Sequence, residues 1–396
     1  MTEKLKKGRD AREKSAEAPT KSQNGVSRRN FVVSVLATSA GALVVSKASA
    51  ALGQGYTGSS TANKNNAYDD YKPNTAEPLV VKVKPTKLLK GDLLLTDQYA
   101  SRIHLVRDGK LIPFINVASW STSHLWDTVV NAKRDRIYVS MSGIRGPKLD
   151  FVGIRGVAGI IEINPETGDV TRVFSSIDPV SKWPYNEMMI DPAGMVVLPD
   201  QKTLLVNDFN GFKSNGKILA VDLESGKIEV FATGFMEPAG LNLDGPDHVL
   251  VGNARMPGGL ELGGQIVRLN IHNKSREVLH EIESKTGALI GATRLADGTI
   301  IGSLSDWPAQ QTSKVFKVTG PRESVELYQP KPGFLSSGIT ADGDGFWVGE
   351  SNRRHLVKVG ADGSILQRVK LGRRPESNPP LLERAFDTLE SVKIVA

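Results

Sequence analysis

Three carboxylates and an amide recur at matching points of this chain: Asp97, Asp208, Asn253 and Glu350 each stand two residues after the close of an apolar triplet. Acids brought close together raise one another's proton affinity unless a cation neutralises them. Such a set therefore suits either a general acid/base pair or an oxygen-lined site for a divalent cation such as calcium. On this reading Asp208 and Glu350 are the candidate catalytic acids, with His124 as a candidate general base, and Asp97, Asp208, Asn253 and Glu350 are the candidate metal ligands. The competing reading is simpler: polar residues at strand ends commonly bond the backbone amides of turns.

The elements that must position these residues are short strands. Apolar triplets close at Leu95, Val139, Val206, Val251, Gly302 and Val348, at intervals of 44, 67, 45, 51 and 46 residues. A repeat of this length built from strands is the signature of a β-propeller. Pro192-Ala193-Gly194-Met195 leading to Leu204-Leu205-Val206, and Pro238-Ala239-Gly240-Leu241 leading to Val249-Leu250-Val251, are two copies of one unit. Asp108-Gly109, Asp297-Gly298 and Asp362-Gly363 supply the positive φ angles that tight hairpins need. No long amphipathic helical period interrupts the repeats. The expected fold is all-β: a six-bladed β-propeller with four antiparallel strands per blade, spanning residues 79–372. An open β-sandwich is the alternative. Either Leu79–Val83 or Val392–Val395 would complete the first blade, and residues 373–396 read as a linker and tail with a short helical stretch.

In such a blade the start of the innermost strand and the end of the second share one face. The long loops after the triplets fall on that face, together with the candidate acids, and long loops on a rigid scaffold are where binding resides. The innermost-strand starts align as Trp126, Ala193, Ala239, Ile290 and Ser337, a nearly apolar ring. His124 and Asp127 flank Trp126, and Trp183, Asn186 and Glu187 lie in a neighbouring insertion. Aromatic surface with a few polar groups suits a small, partly apolar organic substrate, with Trp126, Trp183, Asn186 and Asn253 as its candidate contacts.

The first 50 residues carry a separate message. Ser27-Arg28-Arg29-Asn30-Phe31, an apolar run to Val45, and the small-residue pattern Ala48-Ser49-Ala50 resemble a twin-arginine signal peptide. The implied partner is the twin-arginine export machinery, and the implied address is the periplasm. The apolar run is shorter than the roughly 20 residues that span a bilayer, so no stable membrane span is expected in the mature chain. The leader holds 10 of the 50 Lys and Arg and 4 of the 43 Asp and Glu, leaving 40 basic residues against 39 acidic ones. That balance gives no dense positive surface for nucleic acid. Residues 51–78, rich in Gly, Ser, Asn and Thr, read as a disordered linker. With no cysteine in the chain, thiol catalysis, disulfides and iron–sulfur clusters are excluded.

Two motifs mislead. Gly211 to Lys217 fits most of a phosphate-binding loop, but Ile218 stands where a hydroxyl is required and a strand follows in place of a helix. Asp342-Gly343-Asp344-Gly345 resembles a fragment of a calcium loop without its closing glutamate, and reads as a hairpin turn.

The Pro-x-Gly starts, Asp-Gly hairpins and Leu-x-Val strands are similar to those of six-bladed propellers of the regucalcin/gluconolactonase family, and of the related strictosidine-synthase-like and NHL-repeat propellers. That resemblance covers residues 79–372 and implies a lactone or ester hydrolase, or a lyase; a non-catalytic ligand- or protein-binding propeller is the other class. In gluconolactonase relatives a divalent cation is held by a first-blade Glu and by the middle residues of Pro-Asn-Gly and Pro-Asp-Gly. Here those middle residues are Ala193 and Ala239, and Leu88-Leu89-Lys90 precedes the first strand. The family's metal site is therefore absent in its usual form.

Overall fold

A computed structural model describes residues 81–97, 102–117, 123–143, 159–175, 189, 192–208, 215–255, 262–284, 287–305, 313–330, 338–350, 354–371 and 389–396. The leader, the 51–78 linker and the expected helical stretch near 381 lie outside these residues. Every regular element among the described residues is a β-strand, β1 to β25 in chain order.

The strands form five hydrogen-bonded sheets. The first contains β1 (Val81–Val83), β2 (Leu93–Asp97), β3 (Arg102–Arg107), β4 (Lys110–Val117) and the C-terminal β25 (Leu389–Ile394), in the order β1-β4-β3-β2-β25. The second is a meander of β5 (Ser123–Val130), β6 (Ile137–Gly143), β7 (Gly159–Ile163) and β8 (Val170–Ser175). The third is β9 (Pro192–Val197), β10 (Thr203–Asp208), β11 (Gly216–Asp222) and β12 (Ile228–Phe235). The fourth has eight strands: β13 (Glu237–Leu243), β14 (His248–Ala254), β15 (Leu262–Asn270) and β16 (Arg276–Ser284), then β17 (Ala288–Arg294), β18 (Ile300–Ser305), β19 (Lys314–Val318) and β20 (Ser324–Tyr328). The fifth is β21 (Thr340–Asp342), β22 (Gly345–Glu350), β23 (His355–Gly360) and β24 (Ile365–Lys370).

The sequence pattern led to six separate sheets, and the hydrogen bonding gives five. The difference is one contact. A single parallel pairing, Gly263 with Ala288, joins the β13–β16 meander to the β17–β20 meander. The C-terminal segment, one of the two expected to complete the first blade, does join it: β25 pairs antiparallel with β2 from Leu93–Ile394 to Asp97–Leu389. Both terminal segments serve the same sheet: β25 lies on the inner side of β2, while β1 pairs with β4 on the outer side.

Burial falls from the inner to the outer strands, which explains their composition. All six residues of the inner strand β9 are buried, so it reads as a continuous apolar or small run. In β24 only Val369 is buried. The core is divided into layers between successive meanders. Leu94 and Ile103 meet Leu125 and Val139; Tyr138 and Ile160 meet Leu204 and Val206; Leu205 and Ile218 meet Leu241 and Val251. Onward, Leu250 and Ile266 meet Leu289 and Phe316, and Ile301 and Val315 meet Phe346 and Val348. The last layer, Trp347 and Leu356 against Leu95, Val106 and Val392, returns the final sheet to the first. This is a β-propeller arrangement, in which each sheet buries its faces only against its neighbours.

The glycine of Pro192-Ala193-Gly194 has a steric purpose. A β-carbon at Gly194 would lie 2.2 Å from the Ala239 carbonyl oxygen and 2.8 Å from the Leu241 nitrogen, so glycine lets two inner strands approach backbone to backbone. At the predicted Asp108-Gly109 hairpin both residues have positive φ, 51° and 70°.

Candidate functional site

All six triplet positions fall in the second strand of a meander: β2, β6, β10, β14, β18 and β22. The expected shared face is present in the register, where Pro192 lies opposite Asp208 and Pro238 opposite Asn253. The residues two positions beyond each triplet are all buried. Met141 and Leu304 join the apolar core, and the four polar residues are each bonded to a neighbouring segment, Asp97 to one from another sheet.

Cross-strand register explains this. Asp208 lies opposite Lys217 in β11, whose Nζ is 3.7 Å from the carboxylate. Glu350 lies opposite His355 in β23, which contacts it through Nδ1 at 3.2 Å; Tyr328 donates its hydroxyl to the same carboxylate, and Arg368 stands 3.9 Å away. Burial and the Glu350 charge push the Tyr328 hydroxyl up to about 12. Asn253 accepts a hydrogen bond from the Met236 backbone NH at 2.9 Å. Asp97 is held by Arg354 of the fifth sheet at 2.9 Å and by His104 at 3.5 Å. Burial alone would raise the Asp97 carboxyl, but the hydrogen bond from His104 and the Arg354 charge hold it below its ordinary value. Among the described residues no three metal-ligating side chains come together. Each of the expected ligands Asp97, Asp208, Asn253 and Glu350 has a protein partner of its own. Asp208 and Glu350, each at the end of a second strand, meet the residues directly opposite them on the third.

The innermost-strand ring does assemble. Ala193, Ala239, Ala254, Ala288 and Ile290 form one buried cluster, with Trp126 packed against it and partly buried. It draws on β5, β9, β13, β14 and β17. His124 is in β5 with its backbone opposite Ser142, but its side chain is outside the description. Trp183, Asn186 and Ser337 lie outside the described residues altogether.

A buried polar hub was missed by sequence reasoning. The Lys393 Nζ lies 2.8 Å from the Leu241 carbonyl oxygen, 3.0 Å from Asn242 Oδ1, 3.4 Å from Asp127 Oδ2 and 3.5 Å from the Met195 carbonyl oxygen. Asp127 Oδ2 also accepts the Met195 NH at 2.8 Å, while Oδ1 accepts the Thr128 NH at 2.8 Å and the Ser391 hydroxyl. Asn242 Nδ2 donates to the Ala292 carbonyl at 2.8 Å and the Ile339 carbonyl at 3.0 Å. One connected set of bonds thus runs through β25, β5, β9, β13 and β17 to Ile339, next to β21. Ser391 and Lys393 alternate with Val392 in β25, a period-two signal of a strand with one polar face, but nothing local announces that this face meets the axis.

No family model matches the sequence, and no curated protein does. A solved structure from a nidogen/laminin complex aligns with 77% of this chain and 98% of its own, at 12% identity and a TM-score of 0.51. A Bacteroides caccae protein of unknown function covers 77% and 98%, at 12% identity and a TM-score of 0.48. A catalytically inactive virginiamycin B lyase from Staphylococcus aureus, crystallised with quinupristin, covers 75% and 91%, at 15% identity and a TM-score of 0.40. At such identities the likeness is one of fold. This chain shares the β-propeller arrangement.

Proposed function

We propose that the chain is an exported six-bladed β-propeller that binds a small, partly apolar organic molecule at the mouth of its axis, and that the acids ending its second strands are structural. The observation that carries this reading is the Trp126 cluster: a partly buried aromatic ring packed on Ala193, Ala239, Ala288 and Ile290, on the face where the long loops depart. The blade count takes each half of the eight-stranded sheet as one blade, since a single bridge joins them. Export to the periplasm draws its support from Ser27-Arg28-Arg29-Asn30-Phe31 and Ala48-Ser49-Ala50.

A second reading, hydrolysis of a lactone or ester or a lyase reaction as in gluconolactonase-like propellers, draws support from Glu237. This acid is fully buried at the start of β13, two residues before Ala239 and opposite Ala254 of the apolar cluster. One experiment separates the two. The full chain and its Trp126→Ala, Glu237→Gln, Asp208→Asn and Glu350→Gln variants are titrated with a panel of γ-lactones and aryl esters, reading both melting temperature and product. The binding reading predicts that ligands raise the melting temperature of the wild type but not of Trp126→Ala, without turnover. Turnover abolished by Glu237→Gln, Asp208→Asn or Glu350→Gln in a folded protein overturns it.

A further inference from the structure

Four oxygens surround the Lys393 ammonium: two backbone carbonyls, an amide oxygen and a carboxylate. Oxygens of these kinds, brought from separate chain segments, are what a protein offers a bound cation. Here they come from β5, β9 and β13, and the charge they surround is delivered by the last strand of the chain. The ammonium has three protons; two make bonds of 2.8 and 3.0 Å, and the third faces the Asp127 carboxylate and the Met195 carbonyl at 3.4 and 3.5 Å. The Lys393 side chain is only 10% exposed and that of Asp127 3%. A charge so buried persists only when its surroundings are arranged for it.

We propose that Lys393 is the built-in cation of the propeller axis: its ammonium occupies a preformed oxygen cage that joins the C-terminal strand to three other inner strands, and the same cage takes a free primary ammonium when the side chain is removed. The inference stands apart from the ligand reading above, because the cage is made by Met195, Leu241, Asn242 and Asp127 and not by the Trp126 cluster. It also gives the C-terminal strand a task beyond pairing with β2. The strand carries the charge that the other inner strands are arranged to receive.

Two experiments on the full chain test this. In Lys393→Ala the missing atoms correspond to propylammonium. The variant is expected to melt about 5–15 °C below the wild type, since a buried charged pair has lost one partner. Propylammonium is expected to restore part of that loss and to leave the wild type unmoved, while 1-propanol, which lacks the charge, restores none. A variant as stable as the wild type, or one rescued no better by propylammonium than by propanol, overturns the proposal. The wild-type protein supplies a test that needs no variant to fold. Under acylation by N-hydroxysuccinimidyl acetate with peptide mass spectrometry, Lys393 is expected to react on the order of 100-fold more slowly than the exposed Lys202 and Lys227, gaining reactivity only when urea unfolds the ring. Reaction of Lys393 within roughly threefold of those two in native buffer overturns it.

Discussion

Replacing Asp97 by Asn separates a structural acid from a catalytic one. Asp97 is 1% exposed, and it joins β2 of the first sheet to Arg354 at the edge of the fifth, 257 residues away in sequence. The amide keeps the shape and removes the charge, leaving Arg354 and His104 buried without their carboxylate. Removing one charge from a buried ion pair costs about 3–5 kcal/mol. For a ring of this size that is a melting temperature lower by about 5–10 °C. The pH dependence has a definite sign. The folded carboxyl titrates below its ordinary value, because His104 and Arg354 outweigh the opposing effect of burial. Its stabilisation is therefore complete above the unfolded value of about 3.9 and is lost as pH falls through the folded value. The gap between wild type and Asp97→Asn is expected to be full at pH 6–8 and to close at acid pH. Urea denaturation from pH 3 to pH 8, followed by circular dichroism, reads both numbers. A variant within about 0.5 kcal/mol of the wild type at pH 7, or a gap that widens on acidification, refutes the reasoning.

Gly194→Ala is expected to lower stability by about 2 kcal/mol or more, because its β-carbon meets the Ala239 carbonyl, a backbone atom that cannot rotate away. Gly298→Ala is the comparison: no atom lies within 4 Å of its β-carbon, and only the strain of φ +89° remains, so its loss on chemical denaturation should be about 1 kcal/mol. Glu350→Gln removes the charge that helps hold the Tyr328 proton while burial remains. Ultraviolet titration should show one tyrosine moving down from about 12 toward its ordinary value; an unchanged titration contradicts the assigned contact.

The parts of the fold legible in the sequence were those written locally. Leu204-Leu205-Val206 and Val249-Leu250-Val251 are buried second strands because each is packed on both faces, so they read as apolar runs closed by turns. The Pro-Ala-Gly copies located the Trp126, Ala193, Ala239 and Ile290 ring, since equal positions in equal repeats come to equal depths. The partners of the acids were not legible, for a reason of the same kind. Asp208 and Glu350 sit at equivalent positions, but their partners Lys217 and His355 stand on the adjacent strand, where equivalence by repeat says nothing about which residue lies opposite. Asp97 with Arg354 and Lys393 with Asp127 are contacts across 257 and 266 residues, made only because the ring closes. Closure itself was ambiguous, because β1 and β25 are both short strands that alternate apolar with polar residues, and both join the first sheet.

Lys393 and Asp127 tie the inner strands into one polar hub. A double-mutant cycle on Lys393→Met and Asp127→Asn, measured by urea denaturation of each single variant and the pair, tests it most directly. A coupling of about 2 kcal/mol is expected, because Asp127 and Lys393 belong to one buried network. Losses that add to within about 0.5 kcal/mol would mean that the two side chains act independently, and would contradict it.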